Sequence, residues 1–142
     1  MGSIYLLYLF LTCYNAGNML TLQIQHYSIY SFVGKESFKT YMQANNKAAL
    51  IPSIIPAMLL LLLSIVMIFY RPVFISLSMS ILFLIINILA FFSTFAWQRR
   101  LQSEMAKDGY DENKIKLLCS TNWIRTLLFL TQAIMAVLLL PM

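Results

Sequence analysis

Arg125 stands in the run Asn122-Trp123-Ile124-Arg125-Thr126, inside a stretch apolar enough to cross a bilayer. Arginine keeps its proton there, because a guanidinium is too basic to give it up. An ionised guanidinium in hydrocarbon costs roughly 2.5–3.5 kcal/mol on the mildest scale unless it meets partners or water. Asn122 precedes it by one helical turn on the same face, and Thr126 follows directly. Gln23, Gln25 and His26 close another apolar run. No carboxylate falls inside any apolar run. A cation held only by amide, hydroxyl and carbonyl oxygens keeps its positive charge uncompensated. That predicts a site for a lipophilic small molecule bearing an anionic or carbonyl group, such as a lipid headgroup, a quinone or a fatty acid. Arg125 would hold its oxygen, Asn122 and His26 would orient it, and Gln23, Gln25 and Thr126 would complete the polar layer.

The same residues admit other readings. His26 as general base and Arg125 as oxyanion stabiliser would form a catalytic pair acting on a phenolic substrate. Alternatively, an arginine one or two turns inside a helix snorkels to the headgroups. Asn and Gln in spans also serve as glue between helices, which fits a structural or accessory subunit. Whether the chain is an enzyme therefore stays open at this level. A metal is not expected: His26 is the only histidine, Cys13 and Cys119 are far apart, and no acid is buried beside them. No cofactor is expected either. Haem ligation by two histidines is excluded within one chain, and no nucleotide loop or Ser-His-Asp set is visible. The two cysteines form no Cys-x-x-Cys pair and read as small hydrophobes.

The elements that must position these residues follow from composition. The chain has 142 residues, 61% hydrophobic and 11% charged, where soluble domains carry about 25% charged residues. Four apolar runs, at roughly residues 4–25, 49–70, 73–96 and 118–140, approach the ~20 residues that cross a bilayer. Residues 59–63 and 81–86 are apolar on all sides, which argues against a soluble bundle. The expected fold is all-α, an integral membrane four-helix bundle forming a single domain over residues 1–142. No basic residue precedes the first run, so it reads as a retained helix and not a cleaved signal.

Charge sets the expected topology. Lys35, Lys39, Lys47, Arg99, Arg100, Lys107, Lys114 and Lys116 lie in the first and third loops, and only Arg71 lies on the opposite side. Basic loops stay in the cytoplasm, so both termini are expected outside it. This rule accounts for the net charge of +5. No nucleic-acid partner is needed; the bilayer is the expected partner, with weak attraction to anionic headgroups. Nothing in the pattern fixes an oligomeric state.

Within the runs, Tyr8, Thr12, Asn15, Asn18, Gln23, Gln25 and His26 share about 160° of the first helix. Tyr27 and Tyr30 then suit the interfacial aromatic belt. Gly34 breaks the helix, and residues 36–46 predict a short interfacial helix in the first cytoplasmic loop, with Phe38, Tyr41 and Met42 on its greasy side. Pro52 fits the first turn of the second span, while Pro56 should kink that span or free a backbone carbonyl. Ser76, Ser80, Asn87, Ala90 and Thr94 form a stripe on the third span, which should continue through Gln98 and Arg99 to about Lys107. Gly109 is a fitting terminator, and Asp111 a fitting N-cap. Gln132, Ala133 and Ala136 continue the face of Arg125 on the fourth span, with Trp123 turned away.

Five pieces of the chain also carry a family pattern. They are His26-Tyr27, then Val33-Gly34-Lys35-Glu36-Ser37-Phe38-Lys39-Thr40-Tyr41, Pro56-Ala57-Met58, Gly109-Tyr110-Asp111, and Thr121-Asn122-Trp123-Ile124-Arg125-Thr126. Their order and spacing resemble the anthrone-oxygenase-like group of small bacterial four-helix membrane proteins, over most of the chain. The Asn-Trp-x-Arg-Thr and His-Tyr elements are the more specific. The family pattern often has Pro where Ser28 stands, and further histidines where Asn45, Gln98 and Ile115 stand. The resemblance implies a multi-pass protein of the bacterial inner membrane and, for some members, cofactor-free oxygenation of polycyclic aromatics.

Overall fold

The structure is a computed structural model that describes residues 2–141. These residues form helices and no strand. The α-helices are α1 (Ser3–Thr21), α2 (Phe38–Ala48), α3 (Ile55–Phe69), α4 (Leu77–Ser93), α5 (Arg100–Asp108) and α6 (Glu112–Leu138). Wider π turns at Leu22–His26, Leu50–Ile54 and Thr94–Arg99 extend α1, precede α3 and join α4 to α5. Three continuous helical stretches are long and apolar enough to cross a membrane: Leu50–Phe69, Leu77–Asp108 and Glu112–Leu138.

α1 packs against α3 and α6, and α4 packs against the same two, so four helices close into a ring. The ring's interior holds Tyr5, Tyr8, Met19, Leu60, Met67, Phe83 and Phe129. Several polar residues of α1 face this interior. Thr12 and Asn15 are fully buried, whereas Leu6, Leu7 and Phe10 lie on the outer surface. Buried polar groups bond within the ring: Tyr5 Oη donates to the Ala136 carbonyl at 2.5 Å, and Asn87 Nδ2 to Ser64 Oγ at 2.6 Å.

Chain punctuation follows the sequence closely. Ser76, expected on the stripe of the third span, is instead exposed and caps α4, its hydroxyl accepting from Met79 N at 3.2 Å. Asp111 caps α6, accepting from Asn113 N and Lys114 N at 2.9 and 3.1 Å. Gly109 ends α5 with φ of 96°, a conformation that disfavours a side chain. Pro56 has no N–H for the carbonyl of Pro52 one turn back. That oxygen instead accepts from Tyr14 Oη and Asn18 Nδ2, both at 3.0 Å.

Two expectations need correction. α2 begins at Phe38, and its greasy side meets protein, not the membrane surface. Phe38 and Met42 are fully buried in a second apolar cluster with Tyr30, Leu101, Met105 and Leu118. α5 supplies this cover: Gln43 Nε2 donates to Ala106 O, and Asn46 Nδ2 to Gln102 O. Tyr27 and Tyr30 also leave the interfacial belt for the interior, because a 3-10 turn over Tyr27–Phe32 directs both rings under α2. The π turn at Thr94–Arg99 lets α5 continue from α4 to reach them.

Candidate functional site

The three π turns lie around one cavity of about 190 Å³. Leu22 and His26 come from the first turn, Pro52, Ser53 and Ile54 from the second, and Thr94, Gln98 and Arg99 from the third. A π turn inserts an extra residue into a helix, which re-aims side chains and is frequent at functional sites. Asn45 of α2 and Arg125 of α6 complete opposite walls.

Arg125 turns into the ring and is only 7% exposed. Its Nε donates to Asn122 Oδ1 at 3.0 Å, and Nη2 donates to the same oxygen. Nη1 donates to Thr94 Oγ1 at 3.2 Å, and Nη2 also to Tyr27 Oη at 3.3 Å. Asn122 is held in turn: its Nδ2 donates to Gln23 Oε1 at 2.7 Å, and Gln23 Nε2 donates to the Cys119 carbonyl at 3.1 Å. This chain of amides fixes Asn122 with its oxygen toward the cation, and each bond polarises the next. Thr126 sits behind, its hydroxyl donating to the Asn122 carbonyl at 3.1 Å.

His26 joins the cavity through a separate network. Asn45 Nδ2 donates to Tyr30 Oη at 2.9 Å, so Asn45 Oδ1 is turned toward His26 Nε2, 2.9 Å away. An amide oxygen only accepts, so this contact calls for the tautomer with its proton on Nε2, the nitrogen that Tyr30 Oη also approaches to 3.2 Å. Nδ1 then keeps its lone pair and has no hydrogen-bond partner among the described residues. Burial lowers the pKa of His26 from its ordinary value, opposed by the Asn45 bond.

No carboxylate lines the cavity. Among the described residues the ion pairs lie elsewhere: Arg100 and Lys114 with Glu104, Lys114 with Asp108, and Lys116 with Glu112. Nor does any group of three or more His, Cys, Asp or Glu among those residues have the arrangement to hold a metal.

The chain matches no family model, no curated protein and no solved structure. The reading of the site therefore rests on its geometry.

Of the sequence-derived residues, Gln23, Asn122, Arg125 and Thr126 form one network, and His26 lines the same cavity as Arg125. Gln25 does not join them. It is exposed, carried round the helix from Gln23 by two residues. Tyr27, Asn45 and Arg99 are additions that the sequence reading had not placed at the site. Asn45 had a signal: at helical spacing it falls on the face of Phe38 and Met42, so it was bound inward with them. Arg99 had none beyond its place at the end of a span.

Proposed function

We propose that this chain is a multi-pass protein of the bacterial inner membrane, a bundle of four spanning helices with both termini outside the cytoplasm. Its cytoplasmic-side cavity binds a lipophilic molecule through an anionic or carbonyl oxygen. One observation carries the reading: Arg125 is buried among uncharged partners at a cavity wall, with no carboxylate there. A buried cation without a counter-charge is costly. A ligand oxygen at the guanidinium offsets that cost, which makes binding favourable without any further ionic contact. The four-span arrangement is supported by the apolar outer face of α1 and by the basic residues gathered at one end.

The test is native mass spectrometry of protein purified from its membrane in mild detergent. A co-purifying small molecule is expected in wild type, lost in Arg125→Gln while helical circular dichroism and elution volume stay unchanged. A wild-type protein with no adduct, and no mass shift after incubation with quinone, fatty acid or phospholipid, would refute the reading.

A second reading has its own support in the free lone pair of His26 Nδ1, at the same cavity as Arg125. There His26 takes the proton of a phenolic hydroxyl and Arg125 stabilises the oxyanion, preparing it for reaction with dioxygen. Oxygen uptake with anthrone-like substrates, abolished by His26→Ala, is the expected result for that reading.

A further inference from the structure

The cavity described above does not end at Arg125. A second, smaller cavity of about 40 Å³ adjoins it, and the two share Ser53, Ile54, Thr94, Arg99 and Arg125. Their remaining walls differ in chemistry. The larger adds His26, Asn45, Gln98 and Gln102 to a wall that also includes the apolar Leu22, Ala48, Ala49 and Pro52, while the smaller adds Met19, Ala57, Phe91, Phe95 and Phe129. Two arginines thus stand on the boundary between a chamber with amide and imidazole groups in its wall and one whose own wall is wholly apolar. The apolar chamber lies between the start of α3 and the end of α4, where Ile55 and Phe95 are exposed on the outer surface. In a bilayer that surface faces acyl chains.

Size constrains what fits. The larger chamber, at about 190 Å³, has room for several waters. Pockets that enclose a drug-sized ligand run from about 300 Å³ upward. A whole lipophilic molecule does not fit, but a compact polar head does, provided that its tail leaves through the apolar side. Charge narrows the choice further. Arg99 has no hydrogen bond or ion pair among the described residues, and no carboxylate lines either chamber. Two guanidinium groups suit an oxyanion with several acceptor lone pairs better than a neutral carbonyl.

We propose that the site takes the oxyanionic head of a membrane amphiphile, drawn in sideways between α3 and α4, with Arg99 as its second cation. This rests on the reading of the Arg125 cavity as a ligand site, and it names the ligand class. The head, a carboxylate or a phosphate monoester, sits at Arg125 and Arg99, while the tail passes Ala57, Phe91 and Phe95 into the lipid.

Full-length protein in phosphatidylcholine nanodiscs tests it by saturable binding of radiolabelled oleate, lysophosphatidate and neutral monoolein. At least one of the two anions is expected to bind, and whichever binds distinguishes carboxylate from phosphate; monoolein is expected not to bind. Arg99→Gln should weaken the anion about tenfold or more, as loss of one charge-assisted contact does. Ala57→Phe, which fills the side mouth, should cut binding of the long-chain anion while leaving short-chain hexanoate or inorganic phosphate binding unchanged. Equal binding of monoolein, or no binding of either anion, overturns the proposal. So does an Arg125→Gln loss that Arg99→Gln and Ala57→Phe fail to reproduce; in that case the cavity still binds a ligand, but not this class and not by this route. Anion binding indifferent to Arg125→Gln would instead sink the underlying reading of the cavity.

Discussion

Asn122 holds three partners at once, taking the charge of Arg125 on its oxygen and giving its amide hydrogens to Gln23 and Thr126. Hydrogen bonds to charged groups contribute about 1.5–3 kcal/mol each, and a group left unsatisfied costs more than one removed with its partner. Asn122→Leu should therefore destabilise the protein by about 2 kcal/mol or more, with Arg125 left facing an apolar side chain. The double variant Asn122→Leu/Arg125→Met should recover part of that loss, because the stranded cation is gone. Thermal unfolding in detergent across the four proteins of this cycle measures the coupling; strict additivity would mean that the two side chains are independent. His26 gives a second residue-scale prediction. Its pKa is lowered by burial, so the unfolded chain binds more protons than the folded one between the two values, and stability rises with pH there. Stability should be full above about pH 6.5 and fall on acidification through the folded pKa. His26→Gln should flatten this dependence in unfolding curves recorded from pH 7.5 to 5. The inward turn of Arg125 was legible because polar groups cluster on neighbouring helices at its depth. Tyr27 was not, since an aromatic ring near the interface looks alike in sequence whether it faces headgroups or, as here, a guanidinium.

Elements translate these residues into a site mainly through irregular turns. Regular periodicity explains the interior stripes of α1, α4 and α6, and the short side-chain oxygens of Ser76 and Asp111 explain the caps. It does not explain three π turns at one level, because an extra residue in a turn leaves no compositional mark. Proline is the exception: Pro56 signals a free carbonyl, and α1 supplies its donors in Tyr14 and Asn18. Residues sharing a partner are coupled, by about 0.5–3 kcal/mol in measured cycles. In wild type, Asn18→Leu removes one of two donors to the Pro52 oxygen. In a Pro56→Ala background that oxygen regains a backbone N–H, so the same Asn18→Leu change should cost less, by about 0.5 kcal/mol or more. Chemical or thermal unfolding of the four variants checks it, and an undiminished Asn18 effect would show that the proline is irrelevant to this contact.

At the scale of the whole molecule, hydropathy alone finds three helices and passes over α1. The polar residues that lower the hydropathy of α1 are those that face the ring, so average composition misjudges a helix whose two sides differ. The arc of polar residues is the better guide, and it pairs with the outer Leu6, Leu7 and Phe10 to support a fourth crossing. Four crossings would bring both termini to one side and put α2, α5 and the cavity at the end rich in Lys and Arg. Basic residues in short loops oppose transfer across the inner membrane, and eight against one is a strong bias. The orientation is therefore expected to put Lys39 in the cytoplasm and Val73, which is fully exposed in the turn between α3 and α4, outside. In a Cys13→Ala/Cys119→Ala background, Val73→Cys should react with a membrane-impermeant maleimide in intact spheroplasts, and Lys39→Cys only after permeabilisation. If α1 lies along the surface instead, a cysteine replacing Ser3 reports it, because three crossings would put that end in the cytoplasm and protect it from the reagent. Labelling of Ser3→Cys together with Val73→Cys in intact cells requires an even number of crossings between the N-terminus and that turn, which only a spanning α1 provides.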